Sequence, residues 1–381
     1  VEGWADRVKT ENVTVFNTNK AIRWVAWKKS GVDASGKDSD VPHKDWTRGT
    51  VQDCFEELCD ELQDFSLHNF HAQWGRLQFE IARNQHKSGV LIMVMDFAKN
   101  KTIRHADEVQ SAYWDAVSVT IHATICFYKC PMVGCTETVK HDFIQVSDDM
   151  THDSFLPRAA VREVIHELQS AGIKVDHLLQ FSDNCGKQYK CQRSFVELTK
   201  LPVLVTRVFY GERHAKNVCD TKFSAVKRQI DTFIDKKNGM FCDQPFIIRN
   251  AEDLYQMCKT HLEEKHVTHG PKHTHNATTY QYFPKAALHQ NRDPQCDSVS
   301  GTTKFHQVRN GETNQLLSRF VSCVCEGCMV KPPKACKNKK LVDNWRIHQL
   351  RVTMSSKELV VLLVTLPSSF KNVCPVRLCV H

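Results

Sequence analysis

Hydrophobic and polar positions change their period several times along the chain. Residues 13–27 alternate loosely and end in Trp24 and Trp27, and residues 31–42 form a polar stretch rich in Gly, Ser and Asp, which predicts a loop. From Thr50 the spacing becomes helical. Phe55, Leu58, Cys59, Leu62 and Phe65 recur at three- and four-residue steps, and Phe70, Trp74, Leu77 and Ile81 continue the stripe. The aromatic members of that stripe are read as core.

After Gly89 the texture changes. Residues 90–95 are continuously apolar and end in Asp96, the pattern of a strand buried on both faces. Residues 117–128 are β-branched and long, and residues 143–146 make a third strand before Ser147, Asp148 and Asp149. Ala160, Val164, Ile165 and Leu168 give residues 155–171 a helical period that Gly172 stops. Residues 175–181 are apolar again and end in Ser182 and Asp183. A short amphipathic segment follows, then a fifth strand over 203–210, and then a helix carrying Phe223, Val226, Ile230 and Phe233 that Asp220 opens. Three strands, a helix, a strand, a helix, a strand and a helix is the order of a ribonuclease H-like fold. The expectation is an α/β domain with a mixed sheet and flanking helices over residues 89–240. A mainly helical region over 1–88 precedes it, an accessory Cys-rich segment over 241–352 follows, and residues 353–381 form a tail of unassigned role.

Composition narrows the class. The 381 residues, 41% hydrophobic and 25% charged, suit two or three globular domains and exclude a disordered or collagen-like chain. The apolar run at 359–366 is too short to span a bilayer, so no membrane is expected. The chain opens at Val1 without a signal-peptide pattern and is expected to be an excerpt, with any N-terminal DNA-binding module outside it. The 17 cysteines are odd in number and scattered through apolar strands, which reads as reduced thiols in the cytosol or nucleus rather than as a disulfide framework. Residues 1–88 hold slightly more acids than bases. Against a net charge of +8 for the whole chain, residues 89–381 therefore carry +10, and a polyanionic partner is expected there.

Three carboxylates fall where such a fold converges. Asp96 ends the first strand, Asp183 ends the fourth, and Asp220 opens the last helix. Like charges held together at apolar strand ends repel, and a pair of divalent cations relieves that repulsion while serving in-line phosphoryl transfer. Any one of these residues alone is more simply a cap or a turn. Glu108 and Glu212 are rival acids, and Asp149 and His152 are read as a capping network opening the 155–171 helix.

The strings MDFAKN, EVQSAYW, VSDDMTHD, FSDNCGKQYKCQRSF and FYGERHAKNVCD, in that order, resemble the motif blocks of a transposase-like family of animal genomes that carries a DDE-type ribonuclease H-like domain. The similarity runs from Asp96 to the cysteines near Cys336. The resemblance implies that Asp96, Asp183 and Asp220 are the Mg²⁺- or Mn²⁺-binding acids, and that Gln188, Lys190, Arg193, His214 and Lys216 meet phosphates. It also implies DNA as partner, a nuclear location and metal-dependent strand cleavage and transfer, with a homo-oligomer among the allowed assemblies. Lys99, Asn184, Ala215, Asn217 and Thr221 depart from the family pattern, three of them replacing glycines around the third acid. A glycine lost from a tight loop costs backbone freedom near a phosphate, so a domesticated, catalytically inactive nucleic-acid-binding protein is the alternative, with a structure-selective nuclease behind it.

The cysteines supply a second chemistry. Cys323, Cys325, Cys328 and Cys336 offer four thiolates, the number a tetrahedral structural Zn²⁺ requires. Cys130, Cys135 and His141, with Cys126 beside them, form a weaker constellation. Cys185 with His214 is set aside as a nucleophile pair because no third orienting group is evident. His261, His266, His269, His273 and His275 lie in a polar loop with no assigned role. Basic residues dominate 200–237, including Lys200, Arg207, Lys222, Lys227 and Arg228, and lysines surround Cys336, as DNA backbone binding requires.

Overall fold

The computed structural model describes residues 18–28, 31–32, 38–39, 43–104, 116–211, 218–234, 248–264, 273–290, 299–330 and 333–350. The chain divides into two compact units, Val1–Gln73 and Trp74–His381.

In the first unit β1 (Ala21–Lys28) pairs antiparallel with β4 (His43–Thr50), while the short β2 (Gly31–Val32) and β3 (Asp38–Ser39) pair with each other. Ala26 is buried while Val25 and Trp27 are exposed, the period of two that belongs to a strand. Among the described residues strands come first, and helix begins only at Val51, with α1 (Val51–Asn84). A reciprocal cap sets its start. Asp53 Oδ2 accepts from the Thr50 amide and hydroxyl, each at 2.8 Å, and the Asp53 amide donates back to Thr50 Oγ1 at 3.2 Å.

The second unit is built on a ten-stranded mixed sheet. β5 (Val90–Phe97), β7 (Ser118–Lys129) and β8 (Thr138–Ser147) are antiparallel neighbours, with β6 (Lys101–Thr102) paired to β7. β9 (His177–Ser182) pairs parallel with β5, and β10 (Leu204–Phe209) pairs parallel with β9. Across the sheet these five strands follow the order β8-β7-β5-β9-β10. The continuous apolar run of β5 has its reason here, since Leu91 to Met95 are fully buried and both sheet faces are covered.

Between β8 and β9 lies α2 (Phe155–Ser170), and between β9 and β10 lies α3 (Gln192–Lys200). Both pack on the face lined by Leu91, Met93 and Met95. The opposite face, lined by Ile92, Val94, Leu179 and Phe181, receives α4 (Val218–Ile234), α5 (Ala251–His261) and the last turns of α1.

Residues beyond 240 do not simply follow the sheet; they extend it at both edges. β11 (Asn276–Tyr282) adds in parallel to β8 and leads into α6 (Lys285–Gln290). At the other edge β12 (Gln307–Asn310), β13 (Gln315–Arg319) and β14 (Arg346–Gln349) continue antiparallel from β10, with α7 (Glu326–Met329) between the last two. The second unit is therefore α/β with a large mixed sheet and helices on both faces. Among the described residues no helix is long and apolar enough to cross a membrane.

Candidate functional site

Two of the three expected acids are brought together by strand register. Met95 of β5 lies beside Ser182 of β9 in a parallel pair, so Asp96 and Asp183 follow at neighbouring carboxyl ends. Alternation from Ile92 and Val94, and from Leu179 and Phe181, puts both on the face that α4 covers. Asp220 is exposed in the first turn of α4. The residue before it, Cys219, is fully buried and its thiol reaches Val94 O of β5 at 3.6 Å. Burial pushes that thiol well above its usual range, and the Asp96, Asp142 and Asp220 carboxylates push it further. The helix carrying the third acid thus lies against the strand carrying the first.

The carboxylates sit in different local settings. Asp96 Oδ1 accepts from the Phe97 amide at 2.8 Å, and Asp183 Oδ1 accepts from the Cys185 amide at 3.0 Å. Burial raises the Asp183 carboxyl above its ordinary range, and the Cys185 N–H offsets this in part.

A buried polar chain runs from this point across the sheet, and its members were not singled out in the sequence. Tyr189 is fully buried, and burial, followed by the Asp96 and Asp183 charges, drives its phenol well above the usual range. Its hydroxyl contacts His122 Nε2 at 3.0 Å, and His122 Nδ1 contacts Gln145 Oε1 at 2.8 Å. Gln145 Nε2 donates to Gln281 Oε1, and Gln281 Nε2 donates to Glu167 Oε2, each at 3.0 Å. The carboxylate at the far end orients both amides, so Gln145 Oε1 must accept from His122 Nδ1–H. Nε2 is left to accept the Tyr189 proton. Burial holds His122 down to about 4, so the imidazole is neutral near pH 7. The one available signal was an isolated His within the apolar β7.

The loop after Asp183 is pinned from inside. Arg207, fully buried, donates to Gln180 Oε1 at 2.8 Å, to Tyr189 O at 2.9 Å and to the Ser194 hydroxyl. Burial lowers its guanidinium to about 10. Lys190 is also buried, and its ammonium donates to Asn184 Oδ1 and, at 2.9 Å, to Thr303 O. Gln188 is half-buried, whereas Arg193 is exposed with its guanidinium 5.3 Å from the Phe155 ring centroid. His214, Lys216, Glu212 and Glu108 lie outside the described residues, as do His266, His269 and the 353–381 tail.

The basic stretch over 200–237 is partly internal. Besides Arg207, Lys222 is held by the buried Asp142 at 3.1 Å and by Thr278 Oγ1 at 2.7 Å, and Lys227 donates to Lys99 O at 2.6 Å. Lys200 and Arg228 remain exposed.

The start of α2 differs from expectation. Asp153, not Asp149, accepts from the Phe155 amide at 2.9 Å. Asp149 is buried and taken by the Thr151 hydroxyl at 2.6 Å and by His289 of α6 at 2.7 Å. His152 bonds Asn100 and stacks on Phe97.

The four-cysteine cluster assembles as its number suggests. The sulfurs of Cys323, Cys325, Cys328 and Cys336 all lie within 4.8 Å of one another. N–H donors surround them. Arg319 Nη1 approaches Cys328 Sγ at 3.3 Å, and Asn338 reaches Cys336 through its amide and Cys323 through its side chain, both at 3.3 Å. Cys323 is driven down to about 4, first by its hydrogen bond with Cys328, with N–H groups of Cys325 and Asn338 adding, while Cys328 moves up in exchange. Gly327 is required for the fold of this loop. A Cβ there would stand 2.3 Å from Ala335 O, whose neighbour Lys334 donates its amide to Gly327 O at 2.8 Å. Four converging sulfurs with N–H partners can hold a soft or borderline metal ion.

The weaker constellation changes membership. Cys126 is fully buried in β7, and burial pushes its thiol well above the usual range. His141 is a satisfied core side chain, with Nε2 on Thr279 Oγ1 at 2.8 Å, Nδ1 on Tyr128 at 3.2 Å and its ring stacked on Phe143. Neither joins Cys130 and Cys135. His273 and His275 do.

No curated protein and no solved structure matches the chain. One family does, over a segment that takes in Asp96, Asp183, Asp220 and both Cys130 and Cys135 and stops one residue short of Cys323. That match covers residues 76–322, more than half of the sequence, and the chain belongs to the family described as a domain of unknown function (DUF8701).

Proposed function

We propose that this chain is a transposase-like protein of the DDE type with a ribonuclease H-like domain, acting on DNA in the nucleus by metal-dependent strand cleavage and transfer. The observation that carries the reading is the register of Met95 on Ser182, which sets Asp96 and Asp183 side by side on the face covered by the helix that carries Asp220 in its first turn. Support for the fold comes from the strand order β8-β7-β5-β9-β10, with three antiparallel strands followed by two parallel crossovers.

Oxygen donors at strand ends, one of them raised by burial, suit a hard divalent cation such as Mg²⁺ or Mn²⁺. Bound there, such cations supply the Lewis acid of in-line phosphoryl transfer. The chain's own residues do the positioning. The Cys185 and Phe97 amides aim the two carboxylates, and Arg207 and Lys190 hold the connecting loop from within. The four-cysteine cluster, in this reading, holds a structural Zn²⁺.

A nicking and strand-transfer assay on labelled duplex with Mg²⁺ or Mn²⁺ tests the proposal. Asp183→Asn is expected to lower turnover at least about 100-fold, the upper end of what outer-shell partners of a metal cost, while duplex binding persists. Turnover that is unchanged in the variant, or that survives chelation, sinks it. One observation favours the catalytically silent alternative: the Lys190 ammonium, which the resemblance would place on a phosphate, is buried on Asn184 and Thr303. In that case the unaltered protein binds duplex and never nicks it.

A further inference from the structure

The connection between β7 and β8 and the segment that enters β11 are more than a hundred residues apart in sequence, yet their four metal-ligating side chains meet. We propose that Cys130, Cys135, His273 and His275 form a structural Zn²⁺ site that staples the β7–β8 hairpin to the edge strand β11.

The hairpin connection is shaped to return two thiols to one point. The Cys130 amide donates to Glu137 O at 3.0 Å and closes the hairpin, the Cys135 amide donates to Met132 O at 3.1 Å, and Lys129 Nζ holds Thr136 O at 2.8 Å. Gly134, at φ +81°, supplies the left-handed step that turns Cys135 back. The second strand of the site is fixed by the sheet. The Lys140 amide donates to His275 O at 2.7 Å, and Asn276 begins the parallel pairing opposite Lys140.

Distances fit the metal. Zinc–sulfur bonds of roughly 2.3 Å and zinc–nitrogen bonds of roughly 2.0–2.1 Å place tetrahedral donors about 3.3–3.8 Å apart. Cys135 Sγ lies 3.2 Å from His275 Nε2 and 3.4 Å from His273 Nε2, and all four ligand atoms fall within 4.8 Å of one another. The two imidazoles meet at 79° with centroids 4.6 Å apart, edge to face rather than stacked. Two sulfurs and two imidazole nitrogens leave no open coordination position, which makes the site structural. Its place agrees. β7 runs antiparallel to β5, so the end of β7 lies beside the start of β5, at the opposite end of the sheet from Asp96. The proposal is therefore independent of the phosphoryl-transfer reading.

X-ray absorption at the zinc edge of the full chain, with metal content measured after dialysis, tests it without any substitution. Imidazole nitrogen in the zinc shell is expected, with an average of about three sulfurs and one nitrogen if both clusters are filled. Cys325→Ser, which disables the four-cysteine cluster, should leave about one equivalent with two sulfurs and two nitrogens. Cys135→Ser or, should that variant fail to fold, His273→Gln should remove the nitrogen signal and leave sulfur only. A sulfur-only shell in the unaltered protein, or a Cys130–Cys135 disulfide found by alkylation and mass spectrometry of freshly prepared protein, overturns the proposal.

Discussion

Asp183 combines a half-buried carboxyl with one N–H partner, so ionising it costs the fold something. Its folded value is raised, hence its contribution to stability is present below the ordinary aspartate value of 3.8 and is lost as pH rises through the folded value. In chelator near neutral pH, Asp183→Asn is expected to melt higher than the unaltered protein, with the difference vanishing in acid. Added Mg²⁺ should reverse the order by binding only the native carboxylate. Thermal melts across pH check both signs, and a variant that melts lower in chelator contradicts the argument. Tyr189→Phe makes a second test, because it leaves His122 Nε2 buried with no donor and should cost about 1–3 kcal/mol. Chemical denaturation reads that loss. Asp96 and Asp183 were legible in the sequence because a continuous apolar run that ends in an acid is a local pattern. Tyr189 and His122 were not, since their roles arise from hydrogen bonds to residues on other strands.

The central strands and helices follow from period alone. β5, β7, β8, β9 and β10, and the helices α2 and α4, lie where apolar runs and three- and four-residue spacings put them. β12 and β13 do not follow from period, because buried polar residues hide them. Gln307, Arg309 and Arg319 are fully buried, yet hydropathy reads them as surface. Arg319 donates to Gln307 Oε1 and Cys323 O, each at 2.6 Å, and Arg309 donates to Cys328 O at 3.0 Å and Val330 O at 2.6 Å. These strands are therefore satisfied by the backbone of the cysteine cluster they support. Gly327→Ala tests the dependence at its tightest point. The added methyl meets Ala335 O, so the loop must open, and the variant should lose about one equivalent of zinc with a lower melting temperature. Full metal retention would show that the loop can yield without losing its sulfur geometry.

For the chain as a whole, charge makes a statement that composition supports and folding trims. The net charge is +8, but Arg207 and Lys222 are spent inside, so fewer cations than the count suggests can meet a phosphate backbone. If the remaining lysines and arginines bind duplex, log affinity should fall linearly with log salt at a slope of roughly −0.9 per phosphate contacted. Salt-insensitive binding would exclude backbone contact as its source. Period, composition and motif order were enough to reach an α/β chain with apolar strands ending in acids and a four-thiol cluster, because each of those features is written within a few consecutive residues. They were not enough to place residues 276–349 on both edges of the sheet, to join Cys130 and Cys135 to His273 and His275, or to withdraw His141 from that group. Those outcomes depend on which distant segments the sheet register sets side by side, and register is a property of the packed molecule rather than of any window of its sequence.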